Sequence, residues 1–192
     1  FWTLDLKVTK DTLVPRPDTE ILVETVLHLD LPEDARIVDL GTGTGAIALS
    51  LASERPDWDV TATDIYAPTL EVAQDNAEQH DLNHGKCAFG SWYKALKPNQ
   101  FFDVIVSNTP YIDADDKHMP NLATEPRRAL VADKHAGRIA VRHDILLIRQ
   151  AYVEKGPQDD DQQLDAVMAA VHLDDQVFKL TLQRLVGLAV FL

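Results

Sequence analysis

The chain predicts an α/β fold: a mostly parallel, twisted sheet flanked by helices. Three observations carry this. Short apolar runs at 36–40, 59–63, 86–89 and 102–107 alternate with stretches at helical spacing. A glycine-rich turn, Gly41-Thr42-Gly43-Thr44-Gly45, joins the first run to the helix after it. Polar residues then close two of the runs, Asp64 after the second and Asn108 after the fourth. Such residues stand at the C-terminal ends of buried strands, the edge at which open parallel sheets bind ligands.

Taken in order, residues 1–14 read as an extended arm or hairpin. Asp18 is a plausible N-cap for a helix carrying Ile21, Leu22, Val26 and Leu29. Strand one spans about 36–40, and a helix over 45–54 stops at Pro56. Strand two covers about 59–63. The spacing of Leu70, Ala73 and Ala77 predicts a helix over 67–80. A short third strand spans 86–89 and the fourth 102–107. Residues 112–134 are polar, hold two prolines and read as a long loop, a feature that in a compact domain is functional or mobile. Ile139, Ile145, Leu146, Ile148 and Ala151 predict a helix over 138–153, stopped by Gly156-Pro157. Beyond it, 158–163 reads as an acidic turn, 164–171 as helical, and 177–192 alternates and then becomes apolar, which reads as a strand pair.

At 192 residues the chain is one domain with room for a substantial core. It opens on Phe1 rather than Met, which reads as a piece of a longer protein, and no signal-like leader precedes the arm. No apolar run approaches the length that spans a bilayer. The lone cysteine, Cys87, excludes an intrachain disulfide, fits a reducing cytoplasm and reads as a packing residue. The net charge of −13 argues against a domain that grips nucleic acid, and favours a basic protein partner or a small substrate.

Glycines in the turn let the chain bend sharply and let a ligand approach the backbone. The helix N-terminus behind them offers N–H groups to an anionic group. Asp64 can accept hydrogen bonds from both hydroxyls of a ribose. Gly41, Gly43 and Ala46 also satisfy the dinucleotide pattern, so the turn alone does not select the ligand. Asn108-Thr109-Pro110-Tyr111 is more specific. The side-chain carbonyl of Asn108, the main-chain carbonyl of Thr109 directed by Pro110, and the ring of Tyr111 together suit a planar NH2 group.

Asp39 with the three glycines has the Asp-x-Gly-x-Gly-x-Gly form, which resembles the Rossmann-like class I S-adenosylmethionine-dependent methyltransferases. The tetrapeptide resembles the Asn/Asp-Pro-Pro-Tyr motif of methyltransferases that act on amide or exocyclic amino nitrogen. Pro15-Arg16-Pro17-Asp18-Thr19-Glu20 and Glu125-Pro126-Arg127-Arg128-Ala129-Leu130 resemble two segments of the HemK/PrmC family, the protein-(glutamine-N5) methyltransferases of peptide-chain release factors.

The resemblance covers about residues 1–135 and divides the catalytic domain into an arm (1–17), a family-like core (18–135) and a divergent C-terminal part (136–192). It implies S-adenosyl-L-methionine as cofactor, bound by Asp39, Gly41, Thr42, Gly43, Thr44, Gly45, Asp64, Trp92 and Asn108. It implies Asn108, Thr109, Pro110 and Tyr111 as the catalytic set. The implied acceptor is the glutamine of a Gly-Gly-Gln loop in a release factor, met in the cytoplasm, with no membrane and no direct nucleic-acid contact. Amino methylation of nucleic acid, glutamine methylation of a ribosomal protein, and a cofactor-binding but inactive fragment are the alternatives.

Three departures stand out. Thr109 replaces the first proline of Asn-Pro-Pro-Tyr, Ser91 replaces the acid of the family's Gly-Asp-Trp, and no clear fifth strand follows Gly156-Pro157. The family's upstream helical domain, used in holding the release factor, is not among these residues. His80 and His84 have a spacing that can ligate metal, but no third ligand is evident, so no metal is expected.

Overall fold

The computed structural model describes residues 1–82, 85–98, 100–108 and 125–131, and the backbone of 146–153. The chain divides into two units, Phe1–Lys155 and Gly156–Leu192, the second outside the described residues. The expectations for the tail, for most of the loop at 112–134 and for residues 138–145 fall outside them as well.

In the first unit, a five-stranded sheet has the order β3-β2-β1-β4-β5. Its strands are β1 (Arg36–Leu40), β2 (Asp59–Asp64), β3 (Lys86–Phe89), β4 (Gln100–Ser107) and β5 (Leu146–Val153). The helices are α1 (Glu20–Leu27), α2 (Ala46–Glu54) and α3 (Ala67–Gln79). β1 pairs in parallel with β2 on one side and β4 on the other, and β2 pairs in parallel with β3. The sheet, parallel but for β5, and its flanking helices form the Rossmann-like α/β architecture expected from the sequence.

Burial explains why these segments are strands. Ile37, Val38 and Leu40 of β1, and Phe102, Val104, Ile105 and Val106 of β4, are shielded from solvent, as expected for central strands covered on both faces. Leu22, Val23 and Val26 of α1 and Ile47, Ala48 and Leu51 of α2 join β1, β2 and β4 in the main apolar cluster. Full burial of one such side chain contributes about 1.5–3 kcal/mol.

Four expectations need correcting. Leu146–Val153, expected as the second half of a helix, is strand β5, antiparallel to β4 from Gln100↔Val153 to Ser107↔Leu146. The sheet therefore has a fifth strand ahead of Gly156-Pro157, whereas the expected lack of a strand after that pair falls outside the described residues. The four consecutive apolar residues 145–148 satisfy a helical stripe and a strand equally well. The unpaired edge of β4, a row of backbone donors and acceptors, decides between them.

Asp18 is not an N-cap. It lies in a 3-10 turn, Pro17–Thr19, that leads into α1. Cys87 is exposed on the edge strand β3 rather than packed. The arm shows no strand or hairpin; a turn closes where the Thr12 N–H donates to the Thr9 carbonyl at 3.2 Å.

Candidate active site

Parallel pairing brings the ends of β1, β2 and β4 to one edge of the sheet. β1 delivers the glycine turn, β2 delivers Asp64, and β4 delivers Asn108. The N–H groups of Gly41 and Thr42 both donate to the Thr63 carbonyl, at 2.9 and 2.8 Å, locking the turn against β2. Gly41 and Gly43 have φ of +74° and +60°, and a Cβ on either would enter open space. Glycine is needed there for its left-handed backbone, and the space beside it is a cradle that a ligand can enter. Gly45, also left-handed, caps the start of α2.

Asp39 is wholly buried. Its Oδ2 accepts from Thr42 Oγ1 at 2.6 Å, while Oδ1 has no hydrogen-bond partner. Burial pushes its carboxyl up to about 7, against the hydrogen bond from Thr42 and the weaker pull of the Ala48 amide, with the charge of Asp64 adding to the rise. A buried acceptor with an unused oxygen beside the turn suits a donor or cation supplied by a ligand.

Asp64 is partly buried. Its Oδ2 accepts the Gly43 N–H at 3.2 Å and its Oδ1 the Tyr66 N–H at 3.0 Å. Each oxygen has capacity to accept a second hydrogen bond, enough together for a vicinal diol. Burial raises its pKa, and the amides of Tyr66, Gly43 and Ile65 and the positive charge of Arg128 oppose that rise.

Beyond Asp64, the Gly90 N–H donates to the Asp64 carbonyl at 3.0 Å. A Cβ on Gly90 would lie 2.8 Å from the backbone of Ala95, so only glycine permits the tight turn that carries Ser91 and Trp92. Trp92 is half-buried, with φ of +47°.

Sequence reasoning missed two neighbours, Ile65 and Phe89, each 65 % exposed, with Phe89 opposite Asp64 in the register. Two large apolar side chains at the strand ends, beside the acid, suit a flat heterocycle. The apolar pair Ile65-Tyr66, placed between a strand-ending acid and the start of α3, was the available signal.

Asn108 directly follows β4. Its Nδ2 donates to Thr19 Oγ1 at 3.0 Å, which turns its carbonyl oxygen away from Thr19. Thr109, Pro110 and Tyr111 lie outside the described residues. The Pro-Arg-Pro-Asp-Thr-Glu segment therefore reaches the site through Thr19. That segment also meets the Glu-Pro-Arg-Arg-Ala-Leu segment in an ion pair between Arg16 and Glu125. Arg128 stacks on the Tyr66 ring, 3.7 Å from its centroid, and bonds Asp11 Oδ1 at 3.1 Å. Both segments thus border the same edge of the sheet. Among the described residues no group of His, Cys, Asp or Glu could hold a metal. No helix among them is long and apolar enough to cross a membrane.

Residues 17–136 match the model of the methyltransferase small domain. The release factor glutamine methyltransferase of Coxiella burnetii is 49 % identical over 134 residues, 69 % of this chain and 48 % of that protein. The release factor glutamine methyltransferase of Escherichia coli is 46 % identical over 158 residues, 81 % of this chain and 56 % of that protein. The chain thus spans about half the length of the curated relatives it matches. Among solved structures, the methyltransferase domain of METTL16 aligns with a TM-score of 0.48 at 22 % identity, over 60 % of this chain and 56 % of that one.

Proposed function

Because the chain belongs to the methyltransferase small-domain family, and its curated relatives at 45–50 % identity are of the HemK/PrmC type, we propose that it methylates the side-chain amide nitrogen of a glutamine in a peptide-chain release factor. The observation that carries the proposal is the tethered carboxamide of Asn108 at the sheet edge that also holds the glycine turn and Asp64. The site residues fit S-adenosyl-L-methionine. The open space at Gly41 and Gly43 and the unused Oδ1 of Asp39 suit its amino-acid end, Asp64 suits a ribose, and Ile65, Phe89 and Trp92 suit an adenine. When bound, it supplies a methyl group on a sulfonium, open to in-line displacement.

The protein's task is then to present a poor nucleophile. A glutamine amide nitrogen has its lone pair delocalised into the carbonyl. With Nδ2 held by Thr19, the Oδ1 of Asn108 can accept one N–H of the amide. The main-chain carbonyl of Thr109 is assigned the other N–H, and Tyr111 the packing beside it. Two acceptors favour a pyramidal nitrogen, and they bind more strongly as positive charge develops on it. The remainder is proximity and alignment. No side chain needs to act as a strong base. The substrate belongs to the translation apparatus, which places the reaction in the cytoplasm, without nucleic acid or membrane as direct partner.

The test is a methyl-transfer assay with S-adenosylmethionine and a release factor bearing the Gly-Gly-Gln loop, with mass spectrometry of the loop. The expected product is a single methyl on glutamine. Asn108→Ala is expected to lower the single-turnover rate by about 10² or more while leaving cofactor binding largely intact. A variant with near-full rate would reduce Asn108 to a turn residue.

A further inference from the structure

Asn76, on α3, is fully buried and is not itself among the residues assigned to the cofactor or the reaction. Its Oδ1 accepts the Lys7 N–H at 2.7 Å, and its Nδ2 donates to the Lys7 carbonyl at 3.1 Å and to the Thr44 carbonyl at 2.9 Å. The first two bonds copy what a neighbouring strand would offer Lys7, so one side chain docks the arm as a sheet partner would. The third reaches the glycine turn one residue before Gly45. The amide's orientation follows from its partners: reversed, it would set its oxygen against two carbonyls.

Other residues of α3 also hold the arm. Thr69 Oγ1 donates to the Asp11 carbonyl at 2.9 Å, Gln79 Nε2 donates to the Asp5 carbonyl at 2.8 Å, and Lys7 pairs with Asp75 at 2.7 Å. None of these goes on to the turn. Asn76 alone in this set bonds both the arm and the cradle, and both hydrogens of its amide are in use.

We propose that Asn76 is a positioning residue for the glycine turn, one that couples docking of the arm around Lys7 to occupancy of the cofactor cradle. The proposal rests on the S-adenosylmethionine reading above. Coupling of this kind is reciprocal: a ligand that fixes the turn also fixes the arm, and a loosened arm weakens the ligand.

Amide hydrogen exchange on the full chain, with S-adenosylhomocysteine as probe, tests it. In the wild type, saturating probe is expected to slow exchange of the Lys7 amide about tenfold, and an unchanged Lys7 would overturn the coupling. Asn76→Asp keeps the shape and the acceptor but, even with its carboxyl protonated, has at most one O–H for the two carbonyls. It is expected to weaken probe binding about tenfold, the scale of one lost hydrogen bond, and to abolish the response at Lys7. Wild-type affinity in that variant would overturn the proposal. If the wild type binds no probe, the cofactor reading fails by itself. The ligand-free comparison then still decides the positioning role: faster exchange at the Gly45 amide in Asn76→Asp supports it, and equal exchange refutes it.

Discussion

Two carboxylates at one sheet edge are held in different ways, and each makes a prediction. Asp64 is wired by backbone amides on both oxygens and is only partly buried. Asp64→Ala removes the acceptor assigned to the ribose hydroxyls, and is expected to weaken S-adenosylmethionine binding by about 1–3 kcal/mol. Titration calorimetry checks this, and unchanged affinity would remove Asp64 from the site.

Asp39 is buried with one oxygen unused, and its pKa rises from an ordinary carboxylate value to about 7. The folded protein therefore holds this proton at a pH where the unfolded chain has released it. The stability from that proton is full below the unfolded value near 3.8 and is lost as pH rises through about 7. Asp39→Asn removes the titration. The difference in unfolding free energy between wild type and variant is expected to shift in favour of the variant from about pH 4 to about pH 7, then level off. Chemical denaturation of both proteins across that range reads the difference, and parallel curves would show that Asp39 does not titrate there.

At the scale of elements, the decisive piece is β5. It pairs antiparallel with β4, the strand that leads into Asn108, and so closes the edge beside the site. Phe101 and Tyr152 are direct partners in that register. Opposed residues in an antiparallel pair have Cα atoms about 4.5–5.5 Å apart, within the span of a disulfide. In a Cys87→Ser background, Phe101→Cys with Tyr152→Cys is expected to form an intrachain disulfide on mild oxidation. Shifting the second cysteine by two residues should reduce the yield sharply. Equal yield at both positions would contradict the register. The connections on the other side of the sheet have a local cause. Glycines with left-handed backbone turn the chain from β1 into α2 and from β3 toward Trp92, where side chains would be strained or would collide.

For the molecule as a whole, charge sets the terms of association. A net charge of −13 gives long-range attraction to a basic partner, and salt screens it over about 10 Å at 0.1 M. For an acceptor that docks through a basic face, the Michaelis constant is expected to rise several-fold between low and high ionic strength. Affinity for S-adenosylmethionine, set inside the cradle, should change little. A salt series of steady-state assays distinguishes the two, and an acceptor constant insensitive to salt would exclude electrostatic steering.

The sequence by itself determined the parallel core, the glycine turn and the polar residues at the strand ends. These are local matters: β-branched apolar runs make strands, positive φ demands glycine, and a residue that closes a buried strand must emerge at its edge. The places of Gly43, Asp64 and Asn108 in the turn and at the strand ends were legible for that reason. What tertiary structure alone decided is which distant segments complete the site. Thr19 and Asn108 are 89 residues apart, Arg16 and Glu125 are 109 apart, and Lys7 and Asn76 are 69 apart, yet each pair is bonded. No periodicity encodes such partners. They arise when burial of the core sets the arm, the glycine turn and the strand ends side by side, and their remaining donors and acceptors must find one another. Leu146–Val153 follows the same logic: its apolar residues fit helix or strand, and the open edge of β4 selected the strand.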